Sequence, residues 1–346
     1  MPFQLIPSGT QIDFIGKRQF AAIASAALIL IPLVLIVAGV RPIKLGIDFA
    51  GGSEVHVKFA EDVAADEGAI RAALKGHPEI EDPTVVRFGD AAENEFLIKF
   101  AGGSLEAESP AEEIALEAAA VAAGEGGDDQ PLPDKVQGLT DLLSAEIGAL
   151  DVQRVEFVGP RVGQELQADG VKSLLFASLA ILAYVAIRFS SRFAPGAVVA
   201  VIHDLLITAG IFVMLGLEFD LRVLAAMLAI LGYSLNDTII IYDRIRENLE
   251  NRTSINLPEV LNISVNQTLS RTVLTSGTTL VALLSLYFLG GEVIRPFAFA
   301  MLVGVLVGTY SSIYIASPLL LLLEAWMGPT PPKKDRSKSA NMAARV

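Results

Sequence analysis

Residues 223–242 read VLAAMLAILGYSLNDTIIIY, an apolar run that carries a single carboxylate, Asp237. A helix needs about 20 apolar residues to cross a bilayer. An Asp near the centre of such a helix costs ~2.5–3.5 kcal/mol on insertion scales. A chain tolerates that cost where the group is paired, lines a watery cavity or moves protons. The stretch therefore decides the fold class and points to function at once. Helical spacing places Tyr233, Ser234, Asp237 and Thr238 on one polar stripe, with Asn236 beside it. Counted back from Tyr242, Asp237 lies about 8 Å inside the helix end at ~1.5 Å per residue.

Five more runs of this kind surround it. They are Phe20–Val40, Val171–Ile187, Pro195–Leu217, Thr272–Leu289 and Phe297–Leu323, so six spans are predicted, the run at 223–242 being the fourth. The composition agrees: 346 residues, 52% hydrophobic, mean hydropathy +0.53. That excludes an ordinary soluble enzyme. The first run follows Lys17-Arg18, as a signal peptide would. Its 21 residues exceed the usual ~7–15-residue apolar region, so it is read as a retained span. There is no cysteine, and the three histidines are His56, His77 and His203. Neither a disulfide nor a metal site is expected, no GK[ST] phosphate loop occurs, and no enzymatic activity or organic cofactor is predicted.

Charge sets the expected orientation. The net charge is −13, but residues 41–170 hold 27 acids and 10 bases, or −17, which leaves +4 for the rest. A nucleic-acid partner does not fit so acidic a surface. Lys17 and Arg18, then Arg188 and Arg192, then Arg244, Arg246, Arg252 and Arg271, then Lys333, Lys334, Arg336, Lys338 and Arg345 all fall on alternate connections. Basic residues stay inside. Segments 1–19 and 326–346 and the loop 243–271 are therefore expected in the cytoplasm of a bacterial inner-membrane protein, and 41–170 outside.

Other polar residues share the spans. Arg271 opens span 5, and Thr275 and Thr278 follow on its face. Spans 4 and 5 leave and re-enter the membrane on one side, so Arg271 and Asp237 are expected at similar depth. His203 and Asp204 lie in span 3 with Thr208 on the same face, a second acid that reads either as part of a proton relay or as a tie to a neighbouring helix. Gly304 and Gly308 form a small-xxx-small pair in span 6, and Gly277 is a further small residue in span 5. Pro318 is expected to bend span 6.

Residues 41–170 read as an α/β domain. Strands are predicted over 45–60, 84–88, 95–100 and 151–158, and helices over 62–76, 110–123 and 134–150. Val55, Val57 and Phe59 share one strand face. The β-α-β-β-α-β order is the ferredoxin-like pattern, with 104–134 as an acidic insert that includes the linker GEGGDDQPLP at 124–133. Within 243–271, Asn256 caps a predicted interfacial helix whose apolar side holds Leu257, Val260, Leu261 and Leu269. Two glycine motifs flank the domain: GIDFAGG at 46–52, with Asp48, Gly51 and Gly52, and VGPRVGQEL at 158–166, with Gly159, Pro160 and Gly163. They read as tight turns that tie the domain to spans 1 and 2.

These motifs, with HD at 203–204, GYSLNDTIIIYDRIREN at 232–248 and LSRTVLTSGTT at 269–279, resemble the bacterial SecF family in order from about residue 12 to 325. The resemblance implies half of an RND-type fold: a six-helix bundle with one periplasmic domain between spans 1 and 2. It implies a SecD partner, the SecYEG channel with YajC and YidC, and an unfolded preprotein substrate moved by the proton motive force. It also implies proton coupling by a span-4 Asp and a span-5 Arg, which fall on Asp237 and Arg271. Na⁺ is the alternative coupling ion. A half-transporter for small molecules or lipids and a pure scaffold are the rival readings.

Overall fold

The computed structural model describes residues 7, 10–60, 62–75, 80–89, 93–102, 134–188, 193–251 and 256–327. The predicted helix at 110–123 and linker at 124–133 lie outside them. Among the described residues, six helical segments are long and apolar enough to span a bilayer. Span 1 is α1 (Arg18–Val37), span 2 is α5 (Pro160–Arg188), span 3 is α6 (Ala194–Leu215), span 4 is α7 (Leu221–Asn251) and span 5 is α8 (Leu257–Leu289). Span 6 joins α9 (Gly291–Ser311), a π-helical turn at Ser312–Ala316 and α10 (Ser317–Met327).

Local chemistry sets the helix ends. Proline occupies the first turn of α6 and of α8, where its missing N–H removes no bond. Gly216, at φ 69°, closes α6 in the left-handed region. Several helices outrun their apolar cores. At 31 residues, α7 is about 46 Å long against a hydrocarbon core of about 30 Å. The segment read as a loop at 243–271 is mostly the far end of α7 and the near end of α8. Asn256 does cap a helix, accepting from the Glu259 N–H at 3.2 Å. That helix is not a separate interfacial one, because it continues unbroken to Leu289. Its apolar side is buried rather than laid on lipid: Val260, Leu261 and Val265 are 0–1% exposed. Leu261 and Val265 pack in a cluster with Phe14, Ile15, Tyr242 and Ile245. Asn262 and Asn266 accept the backbone N–H groups of Phe14 and Ile12 at 2.8 and 2.9 Å, which pins the segment before α1 to α8.

The α/β domain holds a four-stranded antiparallel sheet of β2 (Gly52–Phe59), β3 (Ile80–Phe88), β4 (Glu95–Gly102) and β5 (Leu150–Val158), in the order β3-β4-β2-β5. With α3 (Glu67–Leu74) and α4 (Asp134–Glu146) this is the ferredoxin-like arrangement. The predicted face of β2 is the buried one: Val55, Val57 and Phe59 join Ile70, Leu74, Phe96, Ile98, Leu139 and Leu143 in one core. The predicted first strand is broken. Its start is a short strand β1 (Lys44–Leu45), followed by a helical turn α2 (Ile47–Ala50). β1 pairs in parallel with β6 (Glu218–Phe219), between spans 3 and 4.

The glycine motifs make this attachment. Gly51 has φ 76°, and a Cβ there would stand 2.9 Å from Pro160 Cα. Gly163 lies against the backbone of Phe49 and Gly51, so a Cβ would stand 3.0 Å from each. Asp48 caps span 4, accepting from the Leu221 N–H at 2.9 Å. Gly46 N–H donates to the Phe219 carbonyl at 2.7 Å. The first motif thus grips the start of span 4 as well as the domain.

Candidate functional site

Two buried acids lie in the bundle, in different surroundings. Asp204 of α6 is 0% exposed and fully partnered. His203 Nδ1 lies 2.9 Å from its Oδ1. Its Oδ2 accepts from Ser311 of α9 at 2.8 Å and from Ser234 of α7. His203 Nε2 lies 2.9 Å from Ser25 Oγ on α1. Ser25 in turn lies 3.0 Å from the Tyr310 hydroxyl, which donates to the Ala21 carbonyl at 2.7 Å.

Counting hydrogens along this chain fixes the proton inventory. Tyr310 gives its hydrogen to Ala21, so Ser25 gives its own to Tyr310, and His203 Nε2 must donate to Ser25. The His203–Asp204 contact then also needs a hydrogen. Either the imidazole is doubly protonated or the carboxyl holds the proton. In both cases the pair is neutral as a unit, the cheap condition for a buried site. It ties spans 1, 3, 4 and 6 together.

Asp237 is also buried, at 1% exposure, but it is poorly partnered. Ser276 of α8 lies 3.3 Å from Oδ2, and among the described residues no group hydrogen-bonds Oδ1. Ser276 Oγ is 2.7 Å from Thr309 Oγ1 on α9, and Thr309 donates to its own-helix Val305 carbonyl at 2.9 Å. At the next residue of α7, Thr238 Oγ1 lies 2.8 Å from Ser312 Oγ at the start of the π turn. Ser276 has a single hydroxyl hydrogen and two oxygens asking for it. With Asp237 ionised, that hydrogen belongs on the carboxylate. With Asp237 protonated, Asp237 can donate to Ser276, whose hydrogen is then released to Thr309. Asp237, Ser276 and Thr309 thus form a three-helix hydroxyl switch.

Close packing makes these contacts possible. A Cβ on Gly304 would stand 2.2 Å from Ile230 Cγ1, and one on Gly308 would stand 3.0 Å from Ser234 Cβ. The small pair in span 6 therefore brings α9 onto α7, as its spacing predicted. Gly277 has open space at its Cβ position and serves no such approach. Gly210 does: a Cβ there would stand 2.7 Å from Pro32 Cγ of α1. At Pro318 the expected disturbance takes the form of the preceding π turn, where Ser317 Oγ donates to the Ser312 carbonyl at 2.8 Å.

Comparison with known proteins decides the family. The profile described as protein export membrane protein SecD/SecF, C-terminal, matches residues 140–326, and the SecD/SecF GG motif matches 36–63. The protein translocase subunit SecF of Desulfurispirillum indicum is 43% identical over 314 residues, covering 90% of this chain and 91% of that one. The SecF of Rhodobacter capsulatus is 40% identical, covering 92% and 91%. The chain belongs to the SecF family. It is a protein translocase subunit, built as a multi-pass membrane protein. The crystal structure of SecDF from Thermus thermophilus, titled a translocon-associated membrane protein, matches at TM-score 0.73 and 34% identity over 95% of this chain. The likeness places the bundle in an RND-like fold. This chain spans 40% of that SecDF chain.

Within that family frame, the predicted site residues separate. Ser234, Asp237 and Thr238 share the buried stripe of α7, and Tyr233 is half-buried with a hydroxyl that no group among the described residues bonds. Asn236 is exposed on the opposite face and is not part of the stripe. Thr275 is half-buried on α8, where its carbonyl accepts from Thr278 and Thr279. Arg271 is exposed, and among the described residues no ion pair joins it to Asp237. The side chain that does reach Asp237 is Ser276, five residues further along α8. Ser25, Ser276, Thr309, Tyr310, Ser311 and Ser312 were not singled out in the sequence. A hydroxyl in an apolar helix commonly bonds its own i−4 carbonyl, so its presence alone does not mark a site.

Proposed function

We propose that this chain, paired with a SecD-type subunit, couples inward proton flow to the late stages of preprotein export through the SecYEG channel, with Asp237 as the proton-carrying group. The observation that carries the reading is the contrast between the two buried acids. Asp204 meets His203, Ser234 and Ser311, so both its oxygens are partnered. Asp237 has one long contact and one unbonded oxygen. An acid so poorly compensated is costly in its ionised form, and it is poised to take a proton and give it up.

The distribution of basic residues supports cytoplasmic termini and a periplasmic α/β domain in the inner membrane. A proton arriving from the periplasm neutralises Asp237 and turns the Ser276 hydrogen toward Thr309. The contacts among α7, α8 and α9 change with it. Release to the cytoplasm is favoured by the positive Arg271, toward the cytoplasmic end of α8, which stabilises the re-formed carboxylate at a distance. One charge crossing 100 mV is worth ~2.3 kcal/mol, enough to shift a two-state element about fifty-fold. The shift moves the α/β domain, which faces the emerging preprotein.

The test is gradient-dependent export in membrane vesicles. Asp237→Asn, assembled normally, is expected to lose at least about tenfold of the gradient-dependent rate while the ATP-driven early stage persists. Full gradient-dependent export by that variant would overturn the reading. Replacing Na⁺ by K⁺ should leave export unchanged. A requirement for Na⁺ would replace the proton as coupling ion.

A further inference from the structure

At the domain end of span 4, charged side chains from five segments meet in a largely buried junction. Lys99 of β4 reaches down from the α/β domain to Glu218 of β6, with Nζ to Oε2 at 3.2 Å, and lies 3.5 Å from Glu54 of β2. Glu54 is 7% exposed. Below, Asp220 accepts from the Val223 N–H at 2.8 Å and Asp48 accepts from the Leu221 N–H at 2.9 Å, so two carboxylates cap the start of α7. Arg222 lies 3.7 Å from Asp220. Glu156 of β5 adds its charge to the field at Glu54. Five carboxylates thus gather around Lys99 and Arg222, with Arg154 of β5 paired to Glu156, and Lys99 is the cation of the sheet that reaches Glu218.

We propose that the Lys99–Glu218 contact, seated on Glu54, is the joint through which movement of span 4 reaches the α/β domain. The proposal rests on the proton-coupling reading of span 4 and adds the residues that transmit it. Three features support a joint rather than a decorative ion pair. The cap from Asp48 and the β1–β6 pairing make the 218–221 segment move with α7. Lys99 lies in a central strand of the sheet, whose pairing with β2 and β3 spreads a pull over the domain. Desolvation makes an isolated charge costly here, so Lys99 keeps its carboxylates or strands them.

The junction also reads acidity. Burial pushes the Glu54 carboxyl up from its ordinary range, opposed by Lys99 and reinforced by Glu156. Burial and the nearby Asp48 raise Asp220. Lys99 is raised by Glu218 and Glu54, which together outweigh its own desolvation. The sign follows from linkage. A carboxyl whose folded pKa exceeds its unfolded value favours the folded junction when protonated, and that contribution is lost as pH rises through the folded pKa. A proton on Glu54 relieves the cost of its buried charge and gives up its attraction for Lys99, while the Lys99–Glu218 contact still holds the joint.

The test uses the full chain reconstituted with its SecD-type partner, with proton flux and preprotein export measured on the same vesicles. Lys99→Met is expected to keep proton flux within about twofold and to lose at least about tenfold of gradient-dependent export, with Lys99→Arg restoring most of it. Glu54→Gln, a fixed mimic of the protonated state, should retain export and flatten its dependence on pH at the domain side. Undiminished export by Lys99→Met overturns the joint. Equal loss of flux and export by Lys99→Met also overturns it, because Lys99 would then serve the proton site or assembly instead. Failure of the underlying reading looks different: Asp237→Asn would keep its flux.

Discussion

Asp204 and Asp237 show how the same side chain takes two roles in one bundle. Replacing Asp204 by Asn should be mild. The amide can present its oxygen to Ser234 and Ser311 and its N–H₂ to a neutral His203, so every bond survives without the extra proton. Assembly and export should stay near normal, measured side by side with Asp237→Asn. His203→Ala should behave otherwise, leaving Asp204 and Ser25 stranded and lowering the unfolding midpoint in detergent by the equivalent of about 3–5 kcal/mol. Ser276→Ala removes the hydroxyl switch but little volume. It should slow gradient-driven export by roughly fivefold at unchanged stability, with Ser276→Thr restoring it. Asp237 was legible in the sequence because its cost in an apolar run is visible from composition alone. Its hydroxyl partners were not, since only the register between α7, α8 and α9 reveals which of many Ser and Thr side chains face an acid.

Among the elements, the helix–helix seam between α7 and α9 is the tightest constraint on the site. Gly304→Ala places a methyl 2.2 Å from Ile230 and should destabilise the bundle by about 1–3 kcal/mol, read from thermal unfolding in detergent. Gly277→Ala meets open space and, by replacing a helical glycine, should be neutral or slightly stabilising. The spacing of Gly304 and Gly308 already marked a close approach, and the open space at Gly277 shows that a lone small residue does not. The ferredoxin-like order was legible because alternation in β2 and the succession of strand and helix patterns are local signals. The extensions of α7 and α8 were not. Their polar residues past the membrane read as a loop, while tertiary packing of Leu261, Val265 and Leu269 kept them helical.

For the whole molecule, the fold sets an intramembrane acid midway along one helix and a domain at that helix's start. Asp237 lies sixteen residues along α7 from Leu221, about 24 Å at 1.5 Å per residue. At the far end of that lever, Asp48, Glu218 and Lys99 hold the α/β domain. The resemblance in sequence named the partners and the process; the lever itself came from contacts between segments more than a hundred residues apart. The central claim is that Asp237 gains and loses a proton in the working assembly. Isotope-edited infrared difference spectra of the reconstituted complex, recorded as the pH is changed, read that event directly. A protonated-carboxyl band that appears on acidification in the parent chain and is missing in Asp237→Asn is the predicted result. The same band change in both would contradict the account.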